Sequence, residues 1–110
     1  MHTRTVSRWT ALASLPLGLV LMTGAAQAHT ALFSCYDNGD GTVLCEAGFS
    51  DGSSASGVPV RVLDAEGGVL VEDKMDANSE ITFTRPDGAF SVLMDAGEGH
   101  QITIPADDIY

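Results

Sequence analysis

Basic residues are scarce in this chain. Its 110 residues include five Lys and Arg against fifteen Asp and Glu. A surface of this charge repels phosphate backbones and anionic lipids and attracts cations. We therefore exclude nucleic acid as a partner, and we interpret the acidity either as a source of solubility or as an attraction for metal ions.

The chain also lacks an apolar run long enough to cross a bilayer. Its longest run, ALASLPLGLVLMTGAA, has 16 residues and contains one proline and two glycines, whereas a spanning helix needs about 20 residues. Arg4 and Arg8 precede the run and Ala26-Gln27-Ala28 ends it, in the order of a secretory signal peptide. The sequence predicts a signal peptide over 1–28, cleavage between Ala28 and His29, and a periplasmic or secreted product with no direct membrane span.

Cleavage would leave one small domain over 29–110 and would remove two arginines. Three basic residues would then face fifteen acidic ones, a formal net charge of −12. Both cysteines, Cys35 and Cys45, lie in this domain. In an oxidising compartment a disulfide is the simplest interpretation of the pair, and a soft thiolate site for copper(I) is the alternative.

Helical periodicity is missing from 29–110, but short apolar runs recur between clusters of Gly, Asp and Pro. They predict seven strands, at 31–36, 42–49, 58–64, 68–72, 79–84, 88–94 and 100–104. Seven short strands at this spacing indicate an all-β fold, a small antiparallel sandwich of the Ig-like or transthyretin-like kind. We expect Met94 in its core and Met75 in an exposed turn.

The first hairpin has a register that can be tested for consistency. If the cysteines lie opposite each other, the pairs are Cys35 with Cys45, Phe33 with Ala47 and Ala31 with Phe49. All are apolar, as one buried face requires. DNGDG at 37–41 then forms the turn, and it lacks the glutamate that would make it an EF-hand calcium loop.

Two segments resemble a known group of proteins. The pattern GVPVRVLDAEGGVL at 57–70, followed by DAGEGH at 95–100, resembles the exported β-sandwich accessory subunits of bacterial nickel/cobalt uptake transporters of the energy-coupling type. More broadly it is similar to carboxypeptidase-regulatory-like sandwiches. The resemblance implies membrane components of a metal uptake transporter as partners, and functional roles for His29 and His100. The cysteine pair is not part of that pattern.

Catalytic residues are not evident. A nucleophile needs a positioned base and an oxyanion site, yet 29–110 contains only two histidines and no G-x-S-x-G segment. We therefore expect that the protein is not an enzyme.

His29 and His100 are the candidate metal ligands. Cleavage would give His29 a free α-amine, which together with its own Nδ1 can chelate one ion, and His100 would add a third nitrogen. Such donors suit Ni(II), Co(II) or Cu(II). Asp95 and Glu98 are nearby in sequence, as further oxygen ligands, as acceptors that orient His100, or as solvated turn residues.

Two hypotheses follow from the sequence. The first is an exported metal-binding accessory protein that takes part in nickel, cobalt or copper uptake. The second is a metal-free β-sandwich that acts in adhesion or as an interaction module, in which His29 is a frayed terminus and His100 only begins a strand.

Overall fold

Seven strands and one short 3₁₀ helix make up residues 29–110, the part of the chain that this computed structural model describes. The signal peptide predicted for 1–28 and its cleavage point lie outside the described residues. The strands are β1 Ala31–Asp37, β2 Thr42–Phe49, β3 Pro59–Asp64, β4 Val69–Lys74, β5 Glu80–Thr84, β6 Phe90–Asp95 and β7 Gln101–Pro105, with the 3₁₀ helix at Ala106–Asp108. Each strand begins and ends within two residues of its predicted bounds, so the all-β prediction is confirmed.

The strands form two antiparallel sheets. One has three strands in the order β1-β2-β5, and the other has four in the order β4-β3-β6-β7. Alternate side chains point inward, because successive residues of a strand face opposite sides of the sheet. β6 shows this alternation clearly, with Phe90, Val92 and Met94 buried and the residues between them partly exposed. The inward rows of both sheets meet in one core, and the predicted sandwich is confirmed.

The β1–β2 hairpin has the predicted register. Cys35 pairs with Cys45, Phe33 with Ala47 and Ala31 with Phe49, and a disulfide joins the two cysteines. A bridge that closes so short a loop contributes about 3 kcal/mol in the chain-entropy picture. Because both cysteines of the described chain are oxidised, the thiolate alternative for copper(I) is wrong for this state.

Aspartate side chains hold the turn of that hairpin. The Gly39 amide donates to Asp37 Oδ1 at 2.7 Å, and the Thr42 amide donates to Asp40 Oδ1 at 3.0 Å. Gly39 and Gly41 have φ angles of 81° and 92°, which side chains rarely tolerate. The predicted turn at 37–41 is therefore confirmed.

Met75 is buried, and the expectation of an exposed turn residue was wrong. Its amide donates to the Val58 carbonyl at 2.9 Å, and its carbonyl accepts from Gly57 at 2.8 Å. These bonds continue the β3–β4 pairing beyond Lys74, so Met75 takes an inward position and is only 2% exposed. Met75 has polar neighbours in sequence, which suggested an exposed turn. The residue it pairs with, Val58, is 17 positions away, so the local sequence does not show that Met75 is buried.

β1 and β7 are edge strands of different sheets that lie side by side. Their first residues are at the same end of the sandwich, since the rings of His29 and His100, which precede them, adjoin. Among residues 29–110, no helix has the length and apolar character needed to cross a membrane.

Candidate metal site

The two histidines singled out from the sequence are neighbours in space. The centres of the His29 and His100 rings are 6.0 Å apart, and the ring planes are inclined by 37°. His29 precedes β1 and His100 precedes β7, so 70 residues of chain separate two side chains that the fold places together.

Strand alternation explains why both rings lie on the core-facing side of their strands. His29 has the same parity as the buried Ala31 and Cys35, and His100 has the same parity as Ile102 and Ile104, which pack against the core. Each histidine therefore extends the inward-facing row of its strand by one position. Phe49 lies beneath His29 in an edge-to-face contact, with ring centres 5.6 Å apart.

The turn between β6 and β7 holds His100. The His100 amide donates to the Gly97 carbonyl at 2.9 Å, and the Ala96 amide donates to the His100 carbonyl at 3.1 Å. Gly97 and Gly99 have φ angles of 109° and 80°, so this tight turn needs glycine at both positions. The AGEGH segment thus forms a tight turn that fixes the position of His100 just before β7.

The orientation of the His100 ring decides which nitrogen is available. His100 Nδ1 lies 3.3 Å from the Glu98 carbonyl oxygen. A carbonyl can only accept, so this contact requires a proton on Nδ1 and leaves the lone pair on Nε2. Histidine ligands in metal sites are commonly oriented by such a contact.

Asp51 is the residue that the sequence analysis missed. Its Oδ2 lies 3.2 Å from His29 Nδ1, and both side chains are partly open to solvent, at 39% and 47% exposed. Residues in the β1–β2 register have numbers that add to 80, as in the pair Ala31 and Phe49. Extending this rule by two residues places His29 opposite Asp51, so the register itself carried the signal.

The Asp51 carboxylate is held by the turn that follows β2. Its Oδ1 accepts from the Ser53 amide at 2.9 Å and from the Ser53 hydroxyl at 2.6 Å. These hydrogen bonds, hydroxyl first, lower the pKa of Asp51, and the charge of His29 acts in the same direction. Oδ1 is thereby engaged, while Oδ2 faces the imidazole.

Asp95 and Glu98, the acidic neighbours of His100 in sequence, have other contacts. Asp95 Oδ1 accepts from the Gly97 amide at 3.1 Å, and its Oδ2 lies 3.5 Å from Arg61 Nη1. Glu98 meets His100 through its main-chain carbonyl. Of the roles considered for these two residues, the turn role is observed for the Asp95 carboxylate. The contact that orients His100 is made by the main-chain carbonyl of Glu98 and not by a carboxylate.

Across residues 29–110, no three His, Cys, Asp or Glu side chains converge closely enough to enclose an ion. What the described chain offers is an open arrangement of two imidazoles and one carboxylate, which we call the histidine site (His29, Asp51 and His100). Comparison with known proteins finds no family model, no curated protein and no solved structure that matches this chain.

Proposed function

We propose that this protein is an exported metal-binding accessory protein that holds Ni(II), Co(II) or Cu(II) at His29 and His100. The observation that carries the proposal is the 6.0 Å separation of the two rings. Two imidazoles that share one ion through bonds of about 2.0 Å have ring centres roughly 4.5–6.3 Å apart, depending on the angle between them. The observed spacing falls in that interval, which supports a shared ion.

Signal cleavage supplies the remaining donor in this proposal. A free α-amine on His29 and the imidazole of the same residue form a chelate ring without ordering any further chain, which is why a terminal histidine binds better than an internal one. Nitrogen donors of this kind favour Cu(II) and Ni(II).

The partner in this proposal is a metal uptake transporter. Two observations support it. The 57–70 and 95–100 segments resemble the accessory subunits of such transporters, and the excess of acidic residues attracts cations to the surface by long-range electrostatics. An exported domain with an open site of modest size suits capture and transfer of an ion rather than its permanent storage.

A metal-free interaction module is the second candidate, and the edge strand β4 favours it. β4 ends the four-stranded sheet, and its Val69 and Leu70 are 54% and 48% exposed. An edge strand with exposed apolar side chains can add a strand from a partner. Its Glu72, Asp73 and Lys74 carry the charges that usually discourage such pairing.

Titration of the mature protein with Ni(II) and Cu(II) tests the proposal. The mature form, with His29 first, is expected to bind one equivalent. A form whose α-amine is acetylated loses the amine chelate, and His100→Ala loses one imidazole, so both are expected to bind at least about tenfold more weakly. Thr103→Ala, at an exposed position of β7, is the matched control and should bind like the wild type.

Equal affinity of the mature and acetylated forms would show that the terminal chelate is wrong. Binding that disappears in 0.5 M salt in every variant would instead indicate diffuse attraction to the acidic surface. Affinity should also fall on acidification, because the amine and imidazoles bind metal only when they are deprotonated.

A further inference from the structure

We propose that Asp51 is an oxygen ligand of the metal at the histidine site, which would then comprise the His29 amine and imidazole, His100 and the Asp51 carboxylate. This inference rests on the proposed function and extends it, since the nitrogen donors alone leave the ion's charge uncompensated. A carboxylate ligand also broadens the accepted ions toward those that tolerate mixed nitrogen and oxygen donors.

The distance between the two nearest donor atoms fits a shared ion. His29 Nδ1 and Asp51 Oδ2 are 3.2 Å apart. An ion bonded to both atoms at about 2.0–2.1 Å would subtend roughly 100° between them, which lies between a right angle and the tetrahedral angle. The ion would lie between the two atoms, so neither side chain would need a large rotation.

The turn after β2 prepares Asp51 for this role. Ser53 engages Oδ1 with two hydrogen bonds, so the plane of the carboxylate is held while Oδ2 stays free. A ligand held in place in this way loses less side-chain entropy on binding than a mobile surface aspartate does. The partial exposure of both His29 and Asp51 leaves a path for an ion to enter from solvent.

His100 closes the arrangement from the other sheet. Its Nδ1 contact with the Glu98 carbonyl leaves Nε2 as the donor. As they stand in residues 29–110, the three side chains do not enclose a single point. Binding of all three side chains to one ion therefore requires the turns that hold Asp51 and His100 to move toward each other.

The test compares Asp51→Asn with Asp40→Asn in the mature protein, titrated with Cu(II) and Ni(II). Asp40 accepts from the Thr42 amide at 3.0 Å and from the Thr42 hydroxyl at 2.6 Å, which matches the Ser53 bonds of Asp51. It lies in the turn at the opposite end of β1, so both variants remove one charge and keep one turn, and only Asp51→Asn touches the site. We expect Asp51→Asn to bind at least about tenfold more weakly and to shift the visible absorption and EPR spectrum of bound Cu(II), whereas Asp40→Asn does neither.

The outcomes separate the two proposals. If His100→Ala weakens binding and Asp51→Asn does not, the metal-binding function stands and the Asp51 ligand is overturned. Equal weakening by Asp51→Asn and Asp40→Asn also overturns it, because net charge would then be the cause. If the mature wild type binds no stoichiometric metal, the proposed function itself fails. Circular dichroism checks each fold, and Asp51→Ser, which keeps a hydroxyl acceptor for the turn, replaces Asp51→Asn if that variant does not fold.

Discussion

At the scale of single residues, aspartate is the main turn-forming side chain of this protein. Six aspartates in the described chain accept a hydrogen bond from the amide two positions later: Asp37, Asp40, Asp51, Asp64, Asp76 and Asp95. Such bonds stabilise turns in place of a backbone contact. Much of the acidity is therefore local turn chemistry, and only Asp51 among these six also contacts a histidine.

Met75 offers a stability prediction at the same scale. Met75→Ala removes a side chain that is 2% exposed, and the lost burial together with the cavity left behind is expected to lower the free energy of unfolding by about 2–4 kcal/mol. Denaturant unfolding followed by circular dichroism measures it. Leu70→Ala is the control, because Leu70 is 48% exposed and its truncation should cost less than about 1 kcal/mol. Equal losses in the two variants would contradict the burial of Met75.

At the scale of elements, the turn between β6 and β7 both closes a hairpin of the core and positions His100 of the histidine site. It joins Asp95, at the end of β6, to His100, ahead of β7, in four residues. The hairpin it closes has Met94 opposite Ile102, so the turn sets where His100 emerges relative to the core. A change of turn geometry is thus expected to move His100, a proposed ligand, as well as to alter stability.

Gly99→Ala tests that connection. Gly99 has a φ of 80°, and an alanine there is expected to cost about 1 kcal/mol and to displace His100, which weakens metal binding. Gly88→Ala is the matched control, because Gly88 has no positive φ and an added methyl group meets open space at both positions. Thermal unfolding and metal titration are measured for both variants. Unchanged affinity in a destabilised Gly99→Ala would mean that the turn does not position the ligand.

At the scale of the whole molecule, basic side chains are few and acidic side chains are many. Arg85 is one of the few basic residues, and its contacts distinguish one end of the sandwich from the other. Arg85 Nη1 donates to Asp37 Oδ2 at 2.9 Å and to the Ile109 carbonyl at 3.2 Å, and its guanidinium lies 5.2 Å from the centre of the Phe90 ring. Arg85 thereby joins the end of β1 to the C-terminal segment, at the end of the sandwich opposite the histidine site. The two ends of the sandwich thus differ. At one end the Arg85 guanidinium bonds to Asp37 and to the C-terminal segment, and at the other end two imidazoles and a carboxylate are partly exposed to solvent.

Acid is expected to destabilise the fold only below about pH 4. Hydrogen bonds lower the pKa of Asp40, Asp51 and Asp95 from the ordinary value of 3.8, chiefly through Thr42, Ser53 and Gln101 respectively. A carboxyl whose folded pKa is depressed stabilises the fold above 3.8, and this contribution is lost as the pH falls through the lower folded value.

Melting temperatures at pH 7, 5, 3 and 2 check this expectation. Asp40→Asn removes one of the three groups and keeps an acceptor for the turn, so its melting temperature should fall less between pH 5 and 2 than that of the wild type. A steady decline of the wild type from pH 7 downward would contradict the assignment, because it would require groups that titrate at higher pH.

The sequence by itself determined the all-β class, the strand positions and the first hairpin with its disulfide. It also singled out the two histidines that we propose as metal ligands. Those features follow from the alternation of apolar and polar residues and from turn-forming residues. Both signals extend over only a few positions, so they can be recognised in the sequence before the tertiary structure is known. Pairing across one hairpin is equally local, and the same rule extended by two residues would have found Asp51.

Only the tertiary structure decided what depends on contacts between distant segments. The packing of β1 beside β7 places His29 and His100 6.0 Å apart, and no periodicity in either segment specifies which edge strands of two sheets will adjoin. Met75 was misplaced for the same reason, since the partner that buries it lies in the loop before β3. Burial and ligand geometry are properties of the packed sheets, and a sequence pattern records only the face that each strand turns inward.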